Sequence, residues 1–248
     1  MNTIYILWLR QLKRYVRSRS RIIGSLGPPI LFLVALGFGF GPIFKKAGAG
    51  NYIDFIVPGV IAQGILFMAI FSGIELIWDR QFGFLKETLV APVSRLEIMI
   101  GRTLGGATIS VLQGLIILLL TLIVGFKPYS LAALPASFLI MFLISLFFTA
   151  LGTAIASVLE DFHGFQLIMN FLVMPLFFLS GALFPLKGIP WFLQIITNIN
   201  PLTYGVDGLR TSLVNVGHFS LITDIAVLSF LSIVALAIGT FLFSKIEA

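Results

Sequence analysis

Six runs of about 20 apolar residues recur along this chain, roughly at 22–42, 56–78, 103–125, 134–158, 165–186 and 221–243. They dictate most of what it can become. Each is long enough to cross the hydrocarbon core of a bilayer as a helix, the one open-chain form that satisfies its own backbone polar groups there. Of 248 residues, 58% are hydrophobic and 10% charged, at a mean hydropathy of +1.08. That leaves too little polar surface to coat a soluble globule. The expected fold class is all-α integral membrane, with six transmembrane helices and no room for a soluble domain. The first run follows a basic segment, as in a cleavable leader, but exceeds the roughly 7–15 residues of a leader's apolar stretch, so it is expected to remain as the first span. With no cysteine in the sequence, disulfides and thiolate metal sites are excluded.

The net charge of +6 would suggest nucleic acid for a soluble protein, but here its placement along the chain carries the information. Arg10, Lys13, Arg14, Arg17, Arg19 and Arg21 precede the first run, and Arg80, Lys86, Arg95 and Arg102 follow the second. The alternate loops hold fewer cations: Lys45, Lys46, Lys127, Lys187 and Arg210. By the positive-inside rule both termini and the stretch 79–102 face the cytoplasm.

Residues 1–21 read as an amphipathic helix lying in the membrane interface. Ile4, Tyr5, Trp8, Leu12, Tyr15 and Val16 share one face, and Arg10, Lys13, Arg14 and Arg17 the other, toward anionic headgroups; Ile6 and Leu7 stray from the pattern. Residues 22–248 form the transmembrane domain. Its loops are short, "FKPYSLAA" and "EDFHGF" among them. The exception is the extracellular segment 185–220, where Pro185, Pro190 and Pro201 cut the chain. Two short re-entrant or interfacial helices are expected there, since "WFLQIITNI" is too short to span. Asp207 and Arg210, three apart, read as a solvated pair. Gly101 and Gly105 make a GxxxG, expected to pack helices within the chain.

Several chemistries fail on the residues. No glycine-rich turn ends in Gly-Lys-Ser/Thr, the pattern that cradles nucleotide phosphates. Ser72-Gly73 and Ser180-Gly181 lack a histidine on a neighbouring span, since His163 and His218 fall on opposite sides of the predicted topology. The same separation argues against a metal site. Glu75 lies well inside a predicted span, where an ionisable group suggests function. Its nearness to Trp78 and Asp79 favours the interface instead, which avoids the roughly 2.5–3.5 kcal/mol cost of a carboxylate at mid-bilayer.

The stretch "DRQFGFLKETLVAPVSR", Asp79 to Arg95, is a polar and aromatic patch in an otherwise apolar chain. Its Asp79, Arg80, Phe82-Gly83-Phe84, Leu85, Glu87 and Pro92-Val93-Ser94-Arg95 resemble the cytoplasmic coupling segment of type 2 ABC transporter permeases, the family of daunorubicin-type drug exporters and of lipo-oligosaccharide and O-antigen exporters. Gln81 stands where that family commonly has Glu. A second stretch, Phe178 to Arg210, is similar to the family's segment between spans five and six, through Ser180-Gly181, Phe184-Pro185 and Asn200-Pro201-Leu202-Thr203-Tyr204.

The resemblance implies a homodimeric permease in a prokaryotic cell membrane, with one ATPase subunit docked beneath each copy. ATP and magnesium would sit on that partner, and this chain would carry no cofactor and no catalytic residue. Arg80, Phe82, Gly83, Phe84, Leu85, Lys86 and Glu87 would form the docking element, with Phe82, Phe84 and Leu85 as apolar anchors and Lys86 and Glu87 as polar rim. Membrane lipids and a hydrophobic, drug-like or lipid-linked substrate are the other expected partners, and nucleic acid is not. The rival reading is a stand-alone channel or secondary transporter whose polar path is Glu75, Gln63, Gln113 and Asn170. The absence of a fixed-period repeat and the unlike halves weaken it.

Overall fold

Eleven α-helices account for most of the described chain, which in this computed structural model comprises residues 3–46, 51–159, 161–186 and 188–246. They are α1 (Thr3–Arg17), α2 (Arg19–Lys46), α3 (Tyr52–Phe71), α4 (Ile74–Gln81), α5 (Phe84–Val90), α6 (Arg95–Ile123), α7 (Leu134–Val158), α8 (Phe162–Phe178), α9 (Trp191–Ile199), α10 (Pro201–Val214) and α11 (Leu221–Ser244). No strand occurs among the described residues. Met1, Asn2, Glu160 and Lys187, which belong to segments read above, lie outside them, as does the Lys45 side chain.

The centre of the bundle is α3. It is apolar all round, and from Ile56 to Leu66 every residue is buried, as an apolar helix without a polar face requires. It packs against α2, α6, α7 and α10. The outer helices turn apolar residues away from the core: Leu31 and Phe38 on α2, Phe171 on α8, Ile222 and Phe230 on α11. That is the surface a bilayer covers.

Five stretches are long and apolar enough to cross a membrane: Arg19–Phe44, Tyr52–Gln81, Arg95–Ile123, Leu131–Val158 and Leu221–Ser244. The expected fifth span over 165–186 is shorter than the sequence suggests. Helix α8 has 17 residues, about 25 Å at 1.5 Å per residue against a hydrocarbon core of ~30 Å. The apolar run continues past it, but the chain turns at Ser180-Gly181, where Gly181 takes φ 73°, a conformation that favours glycine.

Beyond that turn the two expected short helices are present as α9 and α10, but α10 is not a surface helix. It packs against α3, α7 and α11, and Asp207 and Arg210 are both buried rather than a solvated pair. The Asp207 carboxylate accepts from the backbone N–H of His218, at 2.8 and 3.0 Å, and of Phe219, at 2.8 Å. Arg210 donates to the Gly181 carbonyl at 2.9 Å and lies 4.3 Å from the centroid of the Phe55 ring. Burial lowers the Arg210 guanidinium to about 10 and the nearby Asp207 charge opposes that shift, so it stays charged at neutral pH. Asn200 caps α10 by accepting from Leu202 N–H at 3.0 Å, and donates to the Leu176 carbonyl of α8 at 2.7 Å. Because Arg210 meets Phe55 at the start of α3, this segment lies at one end of the bundle and α5, which follows α4, at the other.

Candidate functional site

The site is assembled where α3 gives way to α4. The break falls at Ser72-Gly73: a Cβ on Gly73 would overlap the Gly152 carbonyl, and one on Gly152 would meet the Ile70 backbone, so α7 crosses this helix backbone to backbone. Glu75 and Asp79, one turn apart on α4, then project to the same side. Four guanidinium groups surround them. Arg10 reaches Asp79 at 2.9 Å, Arg14 lies 3.6 Å from Asp79 and 3.9 Å from Glu75, Arg21 binds Glu75 at 2.6 Å, and Arg102 of α6 donates to Asp79. Both carboxylates and Arg102 are buried. Charges in so dry a place persist only because they are paired.

This network changes the picture of the N-terminal helix. Leu7, Gln11 and Tyr15 form its buried face, although Leu7 breaks the amphipathic pattern by sequence, while Tyr5 and Val16 are exposed. The reason is α6, whose Gly101 and Gly105 present no side chain to α1. A Cβ on Gly101 would come within 3.0 Å of the Leu7 Cβ, and one on Gly105 would overlap Gln11. The expected intrachain use of this GxxxG is therefore observed. Trp8 donates to Thr108 Oγ1 at 3.0 Å, so it packs on a helix of its own chain. Of the cations expected at headgroups, Arg10 and Arg14 are taken up by Asp79 and Glu75, whereas Lys13 and Arg17 stay exposed.

The Phe82-Gly83-Phe84 turn links α4 to α5. Gly83 has φ 80°, which an L side chain adopts only with strain. Helix α5 ends at extended Ala91 ahead of Pro92. A capping box then starts α6: Ser94 Oγ accepts from Glu97 N–H at 3.1 Å and Glu97 accepts from Ser94 N–H at 3.2 Å.

The structure divides the expected docking residues. Phe82 and Phe84 are 72% and 49% exposed, and Lys86 and Glu87 are also exposed. Leu85 is 2% exposed and belongs to the chain's own core, so it is not an outward anchor: one turn of helix cannot present 84 and 85 to the same side. Arg80 is committed internally as well, donating to the Ser157 and Leu159 carbonyls at 2.9 and 3.0 Å and thereby capping the C-terminus of α7. Arg10 adds a further tie, its guanidinium 5.8 Å from the Phe84 ring centroid. The exposed aromatic pair thus sits on a mount fastened to α1, α6 and α7.

Of the polar path of the rival reading, Glu75 and Gln63 line one cavity and buried Gln113 accepts from Ser25 at its wall at 3.1 Å, whereas Asn170 is exposed on α8 and is not among the residues lining that cavity. No group of three or more His, Asp or Glu side chains that could hold a metal ion occurs among the described residues.

Residues 2–214 match the ABC-2 type transporter family. The chain is 31% identical over 214 residues to ycf38 of Cyanophora paradoxa, a transport permease by name, covering 84% of this chain and 72% of that one. It is 25% identical over 244 residues to nodulation protein J of Rhizobium leguminosarum bv. viciae, covering 96% and 93%. It is also 25% identical over 227 residues to the inner membrane transport permease YadH of Escherichia coli K12, covering 90% and 87%.

Proposed function

Because this chain belongs to the ABC-2 type transporter family, we propose that it is the membrane permease of an ATP-driven exporter whose ATPase is a separate chain. It is a multi-pass membrane protein, and the ABC-2 permeases to which it is related work with ABC ATPase partners. The observation that carries the finer reading is the exposed Phe82 and Phe84 pair at the α4–α5 turn. Aromatic side chains on a polar loop call for a partner that covers them, and aromatic anchors ringed by charged residues such as Lys86 and Glu87 are how such interfaces gain affinity. The side bearing α5 is then cytoplasmic, in keeping with the arginine-rich stretches there, and the α9–α10 end faces outward.

The same contacts supply a mechanical route. A displacement of α5 cannot stay local, because Arg80 holds α7, Asp79 holds α1 and α6, and Glu75 holds α2 through Arg21. Closure of two ATPase subunits would move these helices as packed bodies rather than by local bending. Two copies of this chain, one over each ATPase, would carry an amphipathic hydrophobic substrate outward.

The test is co-purification with a candidate ABC ATPase, comparing wild type with Phe84→Asp plus Glu87→Lys. Wild type should retain the ATPase and the double variant, folded and monodisperse, should lose it. Equal retention by both would remove α5 as the docking element.

A further inference from the structure

We propose that Asp224 is a proton-binding group at the seam between α10 and α11: it holds a proton while the two helices are packed and releases it to water when they part. The inference stands independently of the permease reading, since it concerns only how this end of the bundle closes.

Four acidic side chains are buried among the described residues. Glu75 and Asp79 are held by arginines, and Asp207 by the amides of His218 and Phe219. Asp224 is held by nothing. It is 0% exposed, and neither carboxyl oxygen has a hydrogen-bond partner or is open to water. Its place in the first turn of α11 would favour a negative charge. The amides there go to Ser220 instead: Thr223 N–H donates to Ser220 Oγ at 3.2 Å, and Asp224 N–H to the Ser220 carbonyl at 3.1 Å.

A buried carboxyl can be satisfied by a donor, a cation, a water or a proton. No donor among the described residues reaches this one, and the packing leaves no room for a cation or a water. Asp224 heads the buried stripe of α11, followed by Leu228, Ser232 and Ala235. It faces the bare backbone of Gly208 on α10, where an added Cβ would lie 3.4 Å from the Asp224 Cβ and 2.8 Å from Ile140 Cδ1 of α7. What remains is a proton, which needs no added volume.

The surrounding charges point the same way. Helix α11 packs against α6, α7 and α10. Helix α7 has no titratable side chain, and those of α6, Arg95, Glu97 and Arg102, sit in its first turns at the opposite end of the bundle. Helix α10 presents Tyr204 and Asp207, both near enough to interact with a charge on Asp224, while Arg210 is turned away to Phe55 and Gly181. The ring of His218 packs on Phe219 in the intervening turn. An ionised Asp224 would therefore meet a second carboxylate and no cation, so losing the proton pushes α11 off α10. The packed form binds one proton more than the parted form, in which an exposed aspartate ionises above about pH 4. Acid thus keeps the seam shut, and rising pH loosens it.

The test uses full-length protein in lipid nanodiscs without ATPase, wild type beside Asp224→Asn and Asp224→Leu. Infrared spectra should show a carboxylic-acid C=O band at neutral pH in wild type that both variants lack. Hydrogen exchange of peptides covering α10 and the first turns of α11 is then compared at matched pH, so that the intrinsic pH dependence of exchange cancels. Above about pH 4, exchange in wild type should gain on that in either variant by roughly tenfold per pH unit, the slope of one linked proton, until the packed form itself titrates. Asp224→Leu serves where the amide disturbs packing, because an apolar side chain of similar size in place of a buried orphan is close to neutral for folding. A wild-type spectrum without an Asp224 acid band at neutral pH, or wild type and variants that exchange with the same pH dependence, overturns the proposal.

Discussion

The two ends of this bundle solve one problem, how to keep charge inside an apolar protein, in two different ways. At the α5 end, Asp79 and Glu75 are satisfied by side chains from other helices, Arg10, Arg14, Arg21 and Arg102. At the α10 end, Asp207 is satisfied by the amides of His218 and Phe219, and Arg210 donates through Nη2 to the Gly181 carbonyl while its Nε has no partner. Side-chain pairs tie separate helices together and can exchange partners when those helices shift. Backbone partners fix one turn in one shape. The end proposed to receive the ATPase is thus built to transmit movement, and the opposite end to hold a folded cap in place.

The contrast can be broken by substitution, and the largest effect is expected at Asp79. Asp79→Ala strands the buried Arg102 guanidinium, and breaking a buried pair on one side costs about 3–5 kcal/mol. Unfolding in detergent titration should show that loss, and adding Arg102→Met should recover much of it, because the partner is itself a side chain. Asp207→Ala should cost less, about 1.5–3 kcal/mol for hydrogen bonds to a charged group, and adding Arg210→Met, which removes the nearby buried charge that Asp207 supports, should restore only a minor part, since the lost hydrogen bonds are to main-chain amides. A rescue at Asp207 comparable with that at Asp79 would erase the distinction. Gly105→Val should push α1 off α6 through overlap with Gln11, costing about 1–3 kcal/mol and exposing the Thr3–Arg17 helix to limited proteolysis. Lys13→Ala, an exposed cation outside the network, should stay within about 0.5 kcal/mol of wild type.

These differences were unevenly legible in the sequence. Five of the six expected spanning runs were, because twenty apolar residues in succession leave few alternatives. The α4–α5 turn was also legible as a patch, through Phe82-Gly83-Phe84 and the Pro92-to-Arg95 close. Its internal division was not, since Leu85 joins the chain's own core and Arg80 binds carbonyls 77 and 79 residues away, at Ser157 and Leu159. The N-terminal helix misleads for a related reason. Sorting by hydrophobicity finds the face a lipid prefers, but the face that packs here is the one that fits α6, where Gly101 and Gly105 accept Leu7 and Gln11. Asp207 and Arg210 sit three apart and look like each other's partners, yet each is used by backbone that only the Gly181 and Asn215–Phe219 turns bring near. The end of α8 was hidden by apolar residues that continue through its terminating turn.

The chain has no cysteine, so one introduced thiol reports on one place. Phe84→Cys and, at the opposite end, Tyr129→Cys can each be labelled with a maleimide in nanodiscs, with and without the ATPase; Tyr129 is exposed. If α5 is the surface that the ATPase covers, its addition slows labelling at position 84 and leaves position 129 unchanged. Labelling at 84 that proceeds equally fast in the presence of a bound ATPase would contradict the account.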